Sequence, residues 1–235
     1  MEQAGNIRRE FTANVSHELK TPLTTIRGYA ELIAQGMAAD GKEREFAAKI
    51  ERESLRLLAL ITDILKLSEL ENSLLPLEEE NCKLREIAAE CIEDLSPLAR
   101  EKHLRFELAG EDAVVRGDRG LLEQLVRNLC GNAVRYNREG GSVRVDIRAG
   151  ESRPGERGPA ITVADTGIGI PPEHQGRIFE RFYRVDKSRS KASGGTGLGL
   201  AIVKHIAEKY GAAITVTSAV GEGTAITVAF PRSTT

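Results

Sequence analysis

At 235 residues the chain is long enough for one large or two modest domains. Its 33 basic and 35 acidic side chains leave a net charge of −2, so nothing points to nucleic acid or an anionic membrane as a partner. The three cysteines, Cys82, Cys91 and Cys130, show no ligand spacing and suit a reducing compartment. No apolar run approaches the roughly 18 residues of a membrane span, and no signal peptide opens the chain. The expectation is a soluble, cytoplasmic piece with no membrane segment of its own, compatible with having been cut from something longer.

The first element is a helix over Gly5–Met37. At about 100° per residue, Ile7, Phe11, Val15, Leu19, Leu23, Ile26, Ala30 and Ile33 fall in one apolar sector. His17 lies opposite the middle of that sector, on the wet face. Pro22 has no N–H, so the carbonyl of Glu18 loses its helical partner and a bend is expected there. After a break at Ala38–Gly41, a second helix spans Lys42–Glu71, with Phe46, Ile50, Leu57, Ile61, Ile64 and Leu65 on its apolar side. Two long helices joined by a short turn make an antiparallel hairpin. Such a pair encloses little core, so its stripes call for a second copy and a dimeric four-helix bundle.

Residues 72–76, which carry Pro76, read as a hinge between this hairpin (1–71) and a second domain (77–235). There the pattern becomes mixed. Helices are predicted over Leu84–Lys102, Arg119–Tyr136 and Leu198–Tyr210. Strands are predicted over Leu104–Leu108, Ala113–Arg116, Ser142–Ala149, Pro159–Ala164, Ala213–Thr217 and Thr224–Phe230. Without regular βαβ repeats, this predicts a two-layer α/β sandwich with a mixed sheet, and an α+β multidomain chain overall.

Four patches in the second domain suggest one nucleotide site. Asn128 and Asn132 share a helix face, with Arg135 and Tyr136 one turn on. Amide oxygens can complete a magnesium shell partly filled by phosphates, Arg135 can neutralise phosphate, and Tyr136 offers a flat face to a base. In Asp165-Thr166-Gly167-Ile168-Gly169 a strand runs out into an acceptor-only carboxylate, suited to an amino group such as that of adenine. The glycines there permit close approach of a ring. Gly195-Thr196-Gly197-Leu198-Gly199 opens a helix and offers free N–H donors to phosphate. It lacks the preceding strand of a dinucleotide fingerprint and the Lys-Ser/Thr of a P-loop. The polar run 187–193 before it reads as a lid, and Phe179–Tyr183 as its anchor.

Together these stretches resemble the catalytic core of a bacterial sensor histidine kinase. The His17 stretch resembles the family's H box, Asn128–Asn137 its N box, Asp165–Gly169 and Gly195–Gly199 its two glycine boxes, and Phe179–Tyr183 its F box. The fold implied for the second domain is the Bergerat-like, GHKL-type ATP-binding fold. The resemblance implies that His17 attacks the γ-phosphate of ATP, that Glu18 takes its proton, and that Mg²⁺ is bound by Asn132 with Asn128 beside it. It implies that Asp165 reads adenine, and that the phosphoryl group passes to an aspartate on a response regulator receiver domain. It also implies that Thr21 positions a water to dephosphorylate that regulator. His103, His174 and His205 have no second ligand at useful spacing and read as structural or surface residues.

Two other classes compete. An ATP-hydrolysing conformational clamp of the same nucleotide fold would carry a glutamate as water-activating base where this chain has Asn128, and an amide cannot act as that base. A non-catalytic dimerisation scaffold would not need His17 or the asparagines.

Overall fold

A computed structural model describes residues 2–38, 41–71, 79–150, 158–186 and 195–232, with side chains from residue 12 onward. The expected hinge (72–76), the lid (187–193) and Asp40 in the helix–helix turn lie outside the described residues. The chain divides into two compact units. One comprises Met1–Lys66 with Asp186–Leu198, the other Leu67–Val185 with Gly199–Thr235.

The first unit is built on α1 (Glu2–Ala34) and most of α2 (Lys42–Glu71). Helix α1 runs unbroken through Pro22, which is buried. It stops three residues before the expected Met37. Gly36 adopts φ 64°, Met37 N–H donates to Leu32 O and Gly36 N–H to Ile33 O. That is a glycine-terminated Schellman stop, where only glycine takes the left-handed angle without penalty. Arg27 pairs with Glu31, and Lys49 with Glu45, one helical turn apart.

The second unit is a two-layer α/β sandwich. Its main sheet has strand order β2-β4-β5-β7-β6: β2 (Arg105–Gly110), β4 (Ser142–Arg148), β5 (Ala160–Asp165), β6 (Ala213–Ala219) and β7 (Gly223–Ala229). The β2–β4 pair is parallel and the others are antiparallel, so the sheet is mixed as expected. A separate antiparallel ribbon joins β1 (Glu80–Lys83) to β3 (Val114–Gly117). Helices α3 (Leu84–Glu101), α4 (Arg119–Arg135) and α6 (Gly199–Lys209) form the other layer, and a one-turn α5 spans Pro172–Gln175. In β4 the alternation is plain: Val143, Val145 and Ile147 are buried, while Arg144 and Arg148 face solvent.

Helix α4 is central to this unit. It buries Leu121, Leu122, Leu125, Val126, Leu129, Cys130, Ala133 and Val134 against its neighbours. Its start is fixed by Asp118, whose carboxylate accepts from Leu121 N–H at 3.0 Å, the cap that an aspartate at this position favours. Its far end is closed by Lys102, whose ammonium donates to Val134 O at 3.1 Å and Arg135 O at 2.6 Å. A cation on those terminal carbonyls also complements the helix dipole. Burial and the nearby Arg135 push the Lys102 pKa down.

Candidate functional site

The face of α4 that carries Asn128 and Asn132 meets the first turn of α6. A Cβ added at Gly199 would lie 3.0 Å from Asn128 Oδ1, so glycine there admits the asparagine. Asn128 Nδ2 is buried and finds no hydrogen-bond partner among the described residues. An orphaned buried donor is costly, about 1–3 kcal/mol, and is a group that a ligand acceptor can satisfy. Arg135 and Tyr136 are half-buried at the end of α4.

The end of β5 is locked to the end of α4 through backbone. Ile168 N–H donates to Tyr136 O at 3.2 Å. A Cβ on Gly167 would fall 2.4 Å from that same carbonyl oxygen, and one on Gly169 (φ 69°) would fall 1.9 Å from Ala219 O. Both glycines are therefore required by close backbone approach. Asp165 Oδ1 accepts from Gly167 N–H at 2.7 Å, an Asx-type turn. Burial raises the Asp165 pKa above the ordinary carboxylate value, against the opposing hydrogen bonds from the Gly167 and Thr224 backbone. Asp165 is thus a half-buried acceptor at a strand end, with glycines on the chain that follows it.

Asn137 was not singled out from sequence as a site residue, yet it ties these parts together. It is 8% exposed; its Nδ2 donates to Ser142 O at 2.9 Å, and its Oδ1 accepts from Arg138 N–H at 3.0 Å. Thr166 Oγ1 in turn accepts from Ser142 N–H at 2.9 Å. Gly223 belongs to the Gly221-Glu222-Gly223-Thr224 run, which resembles the family's glycine-rich turn before the last strand; with φ 116°, a Cβ there would lie 1.9 Å from Asp165 O, an approach the run itself does not reveal.

Around Phe179–Tyr183, His174 Nδ1 lies 2.6 Å from the Tyr183 hydroxyl and Arg177 stacks 4.4 Å from its ring centroid. Phe182 holds φ 61°, uncommon for an aromatic residue. Arg181 pairs with Glu71, the last residue of α2, and its Nη2 lies 3.5 Å from His205 Nε2. Burial, followed by the charge of Arg181, lowers the His205 pKa. His174 and His205 are thus built into the unit, in keeping with a structural reading. A cavity of about 330 Å³ is lined by Val115, Arg116, Tyr210 and Phe230 among others. It lies at the opposite ends of β4, β5 and β7 from Asp165 and shares none of its residues.

The other candidate residues belong to the first unit. His17 is 78% exposed, as its place on the helical wheel implies, and its Nδ1 is 4.0 Å from Glu18 Oε1. Thr21 Oγ1 donates back to His17 O at 3.2 Å. Gly195, Thr196, Gly197 and Leu198 fall in this unit as well, while Gly199 falls in the other. Gly197 has φ 76°, Leu198 is fully buried, and Thr196 Oγ1 donates to Asp63 Oδ2 at 2.6 Å.

With this geometry in hand, comparison with known proteins decides the family. The model of the histidine kinase-, DNA gyrase B-, and HSP90-like ATPases matches residues 117–234. The chain belongs to that family. Residues 7–73 match the His Kinase A (phospho-acceptor) domain, so the two units together have the make-up of a histidine kinase catalytic core. Sensor histidine kinase WalK of Bacillus subtilis (strain 168) is 39% identical over 228 residues, 95% of this chain and 36% of the relative. The phosphate regulon sensor protein PhoR of Pseudomonas aeruginosa is 37% identical over 231 residues, 97% of this chain and 51% of its own. The chain thus spans between about a third and a half of the length of these curated relatives. The crystal structure of ShkA in complex with AMPPNP is 30% identical, with a TM-score of 0.67, covering 94% of this chain and 45% of that one. Among the described residues, no helix is long and apolar enough to cross a membrane.

Proposed function

We propose that this chain is the catalytic core of an ATP-dependent protein histidine kinase of a two-component system, with His17 as the phosphorylated residue. The observation that carries the reading is a 78% exposed histidine beside a carboxylate, on a phospho-acceptor hairpin joined to an ATPase-family unit.

In the proposed step, the Nε2 lone pair of His17 forms the new P–N bond. The bond from the γ-phosphorus to the bridging oxygen breaks, and its electron pair leaves on ADP. The Nδ1 proton passes to Glu18, whose Oε1 is one small rotation from hydrogen-bond reach at 4.0 Å. The nucleophile is the neutral imidazole, with Nδ1 carrying the proton and Nε2 the lone pair. Asp165 takes the adenine amino group, and the Gly195–Gly199 amides and Arg135 take phosphate. Asn132, with Asn128 beside it, would hold Mg²⁺, which would supply charge neutralisation at the transferring group. Among the described residues no cluster of three His, Cys, Asp or Glu offers a metal a site of its own. Amide oxygens and the nucleotide's phosphates would therefore make up the shell, and the orphaned Asn128 N–H suits a phosphate oxygen.

The phosphoryl group then passes to an aspartate of a response regulator receiver domain, a reaction assigned to the cytoplasm by its need for ATP. A solved structure of ThkA, 23% identical and alike in fold (TM-score 0.76, 99% of this chain and 64% of that one), is a complex with the response regulator TrrA. Thr21 would position a water for the reverse, phosphatase reaction once its hydroxyl turns away from His17 O. The working unit is a homodimer, because Leu23, Leu55, Leu58 and Leu65 remain about 60% exposed on a single hairpin.

The test is incubation with γ-labelled ATP and Mg²⁺, then acid treatment. Acid-labile, base-stable label is expected, and His17→Gln removes it while leaving ATP binding intact. Label that persists at wild-type level in His17→Gln ends the assignment.

A further inference from the structure

The hairpin holds a partly buried polar cluster. Arg56 stands on α2 one turn from Glu53 and Leu60, and its side chain is 12% exposed. Its Nη2 lies 3.8 Å from Glu18 Oε2, and its Nη1 lies 3.6 Å from Glu53 Oε2. The other oxygen of Glu18, Oε1, is the one that lies 4.0 Å from His17 Nδ1. Glu18, 24% exposed, is therefore bracketed, with a guanidinium on one oxygen and the imidazole on the other.

Two physical points make this bracket more than packing. Consecutive residues on a helix do not face each other. Glu18 leaves α1 about 100° round from His17, and a free glutamate with three rotatable bonds has no reason to lie along the imidazole. Arg56 is one group placed to hold it there. The fold has little use for the charge itself: partly buried ion pairs are often no more stable than apolar replacements of similar size. A largely buried arginine against one oxygen of the carboxylate gives that carboxylate a direction. Its two terminal nitrogens face Glu18 and Glu53 separately, which fixes the side chain between them.

We propose that Arg56 is a positioning residue for phosphorylation of His17, holding Glu18 by Oε2 so that Oε1 faces the Nδ1 proton. The inference rests on the reading of Glu18 as proton acceptor given above. Arg56 then affects the rate of the transfer and leaves the capture of ATP alone.

The experiment uses the whole chain in four forms: wild type, Arg56→Met, Glu18→Gln and the double variant, with Arg56→Lys as the conservative control. Methionine keeps the length and apolar body of the side chain without its charge. With Arg56→Met the labelling rate at saturating ATP is expected to fall about 10- to 100-fold, a part of the roughly 10²–10⁴ a general base supplies. The KM for ATP, the dimer and the melting temperature stay at wild-type values or better. Arg56→Lys recovers part of the rate. In the Glu18→Gln background, adding Arg56→Met changes the rate little further, because two residues acting through one step do not add. A wild-type rate in Arg56→Met overturns the inference. So does a full multiplicative loss in the double variant, or a loss that tracks a fallen melting temperature or a raised KM. If wild type itself takes no label, the kinase reading has failed instead. If wild type takes label while Glu18→Gln labels at the same rate, the proton-acceptor assignment has failed and this inference with it.

Discussion

The two units treat their large apolar side chains in opposite ways. In the second, α4 sinks eight residues into a core shared with the sheet and two other helices, and Leu122, Leu125, Val126 and Val134 are wholly buried. In the first, α2 carries Leu55, Leu58 and Leu65 at 62%, 62% and 60% exposure, spaced so that they line one face. One unit is complete as a single chain. The other presents an unfinished core, and His17 is even more open than its leucines, at 78% exposure. The contrast suits a division of labour: nucleotide recognition needs an enclosed, preorganised pocket, while a phosphorylated histidine must be reached by a kinase domain and by a regulator in turn.

The sharpest way to break that comparison is to charge the unfinished core. Leu58→Glu is expected to dissociate the dimer. Burying a leucine contributes about 1.5–3 kcal/mol, and two-fold symmetry counts it twice, so the dissociation constant should rise about 10²–10⁴-fold before any cost of a buried charge. Sedimentation velocity reads the dimer, and nucleotide titration reads the other unit, which should bind ATP as before. A variant that stays dimeric would show that the exposed leucines are not the dimer's core.

A smaller effect comes from disturbing the complete unit at its tightest backbone approach. Gly169→Ala places a Cβ 1.9 Å from Ala219 O at a φ of 69°. Backbone strain of this kind costs about 1–3 kcal/mol before the clash is counted. The second unit should lose stability and ATP affinity together, while helical circular dichroism and the dimer persist. Loss of both units in one transition would mean that the contrast drawn here is not one of independent folding.

Much of this was legible in the residues. Helix α2 was placed to the residue, since a long amphipathic period gives many independent votes, and β4 was betrayed by its strict alternation. The short elements were not: β1 is four residues, Glu80–Lys83, with a single buried side chain, and α5 is one turn. Neither is long enough to show a period. Helix α1 ends before the Ala38–Gly41 break because Gly36, two residues past its last helical residue, is a stop signal in its own right. At the site, motif residues such as Asp165 and Asn132 stood out. Lys102 and Gly223 act through contacts with backbone far away in sequence, which no local pattern records, and Asn137 closes a short loop onto Ser142.

The smallest expected effect sets recognition against stability at a single atom pair. Asp165 is held partly out of water, and its pKa is raised from 3.8 chiefly by burial. A carboxyl whose folded-state pKa exceeds its unfolded value favours the fold most when protonated, and that contribution is lost as the pH rises through the folded-state pKa. At neutral pH wild type therefore carries the cost of a buried charge. The Asp165→Asn variant carries none at this position, and its slope is the reference. The melting temperature of Asp165→Asn relative to wild type should climb as the pH is raised from about 4 to 7. The offset between the two can take either sign because Asp165 also accepts from Gly167 N–H, at 2.7 Å, and from Thr224; the slope does not depend on it. In the same variant ATP should weaken far more than GTP, since the amide can present a donor where the adenine amino group requires an acceptor. A flat difference across pH would remove burial as the cause of the shifted carboxyl, and equal losses for both nucleotides would make Asp165 a brace for the Gly167 turn rather than the group that reads the base.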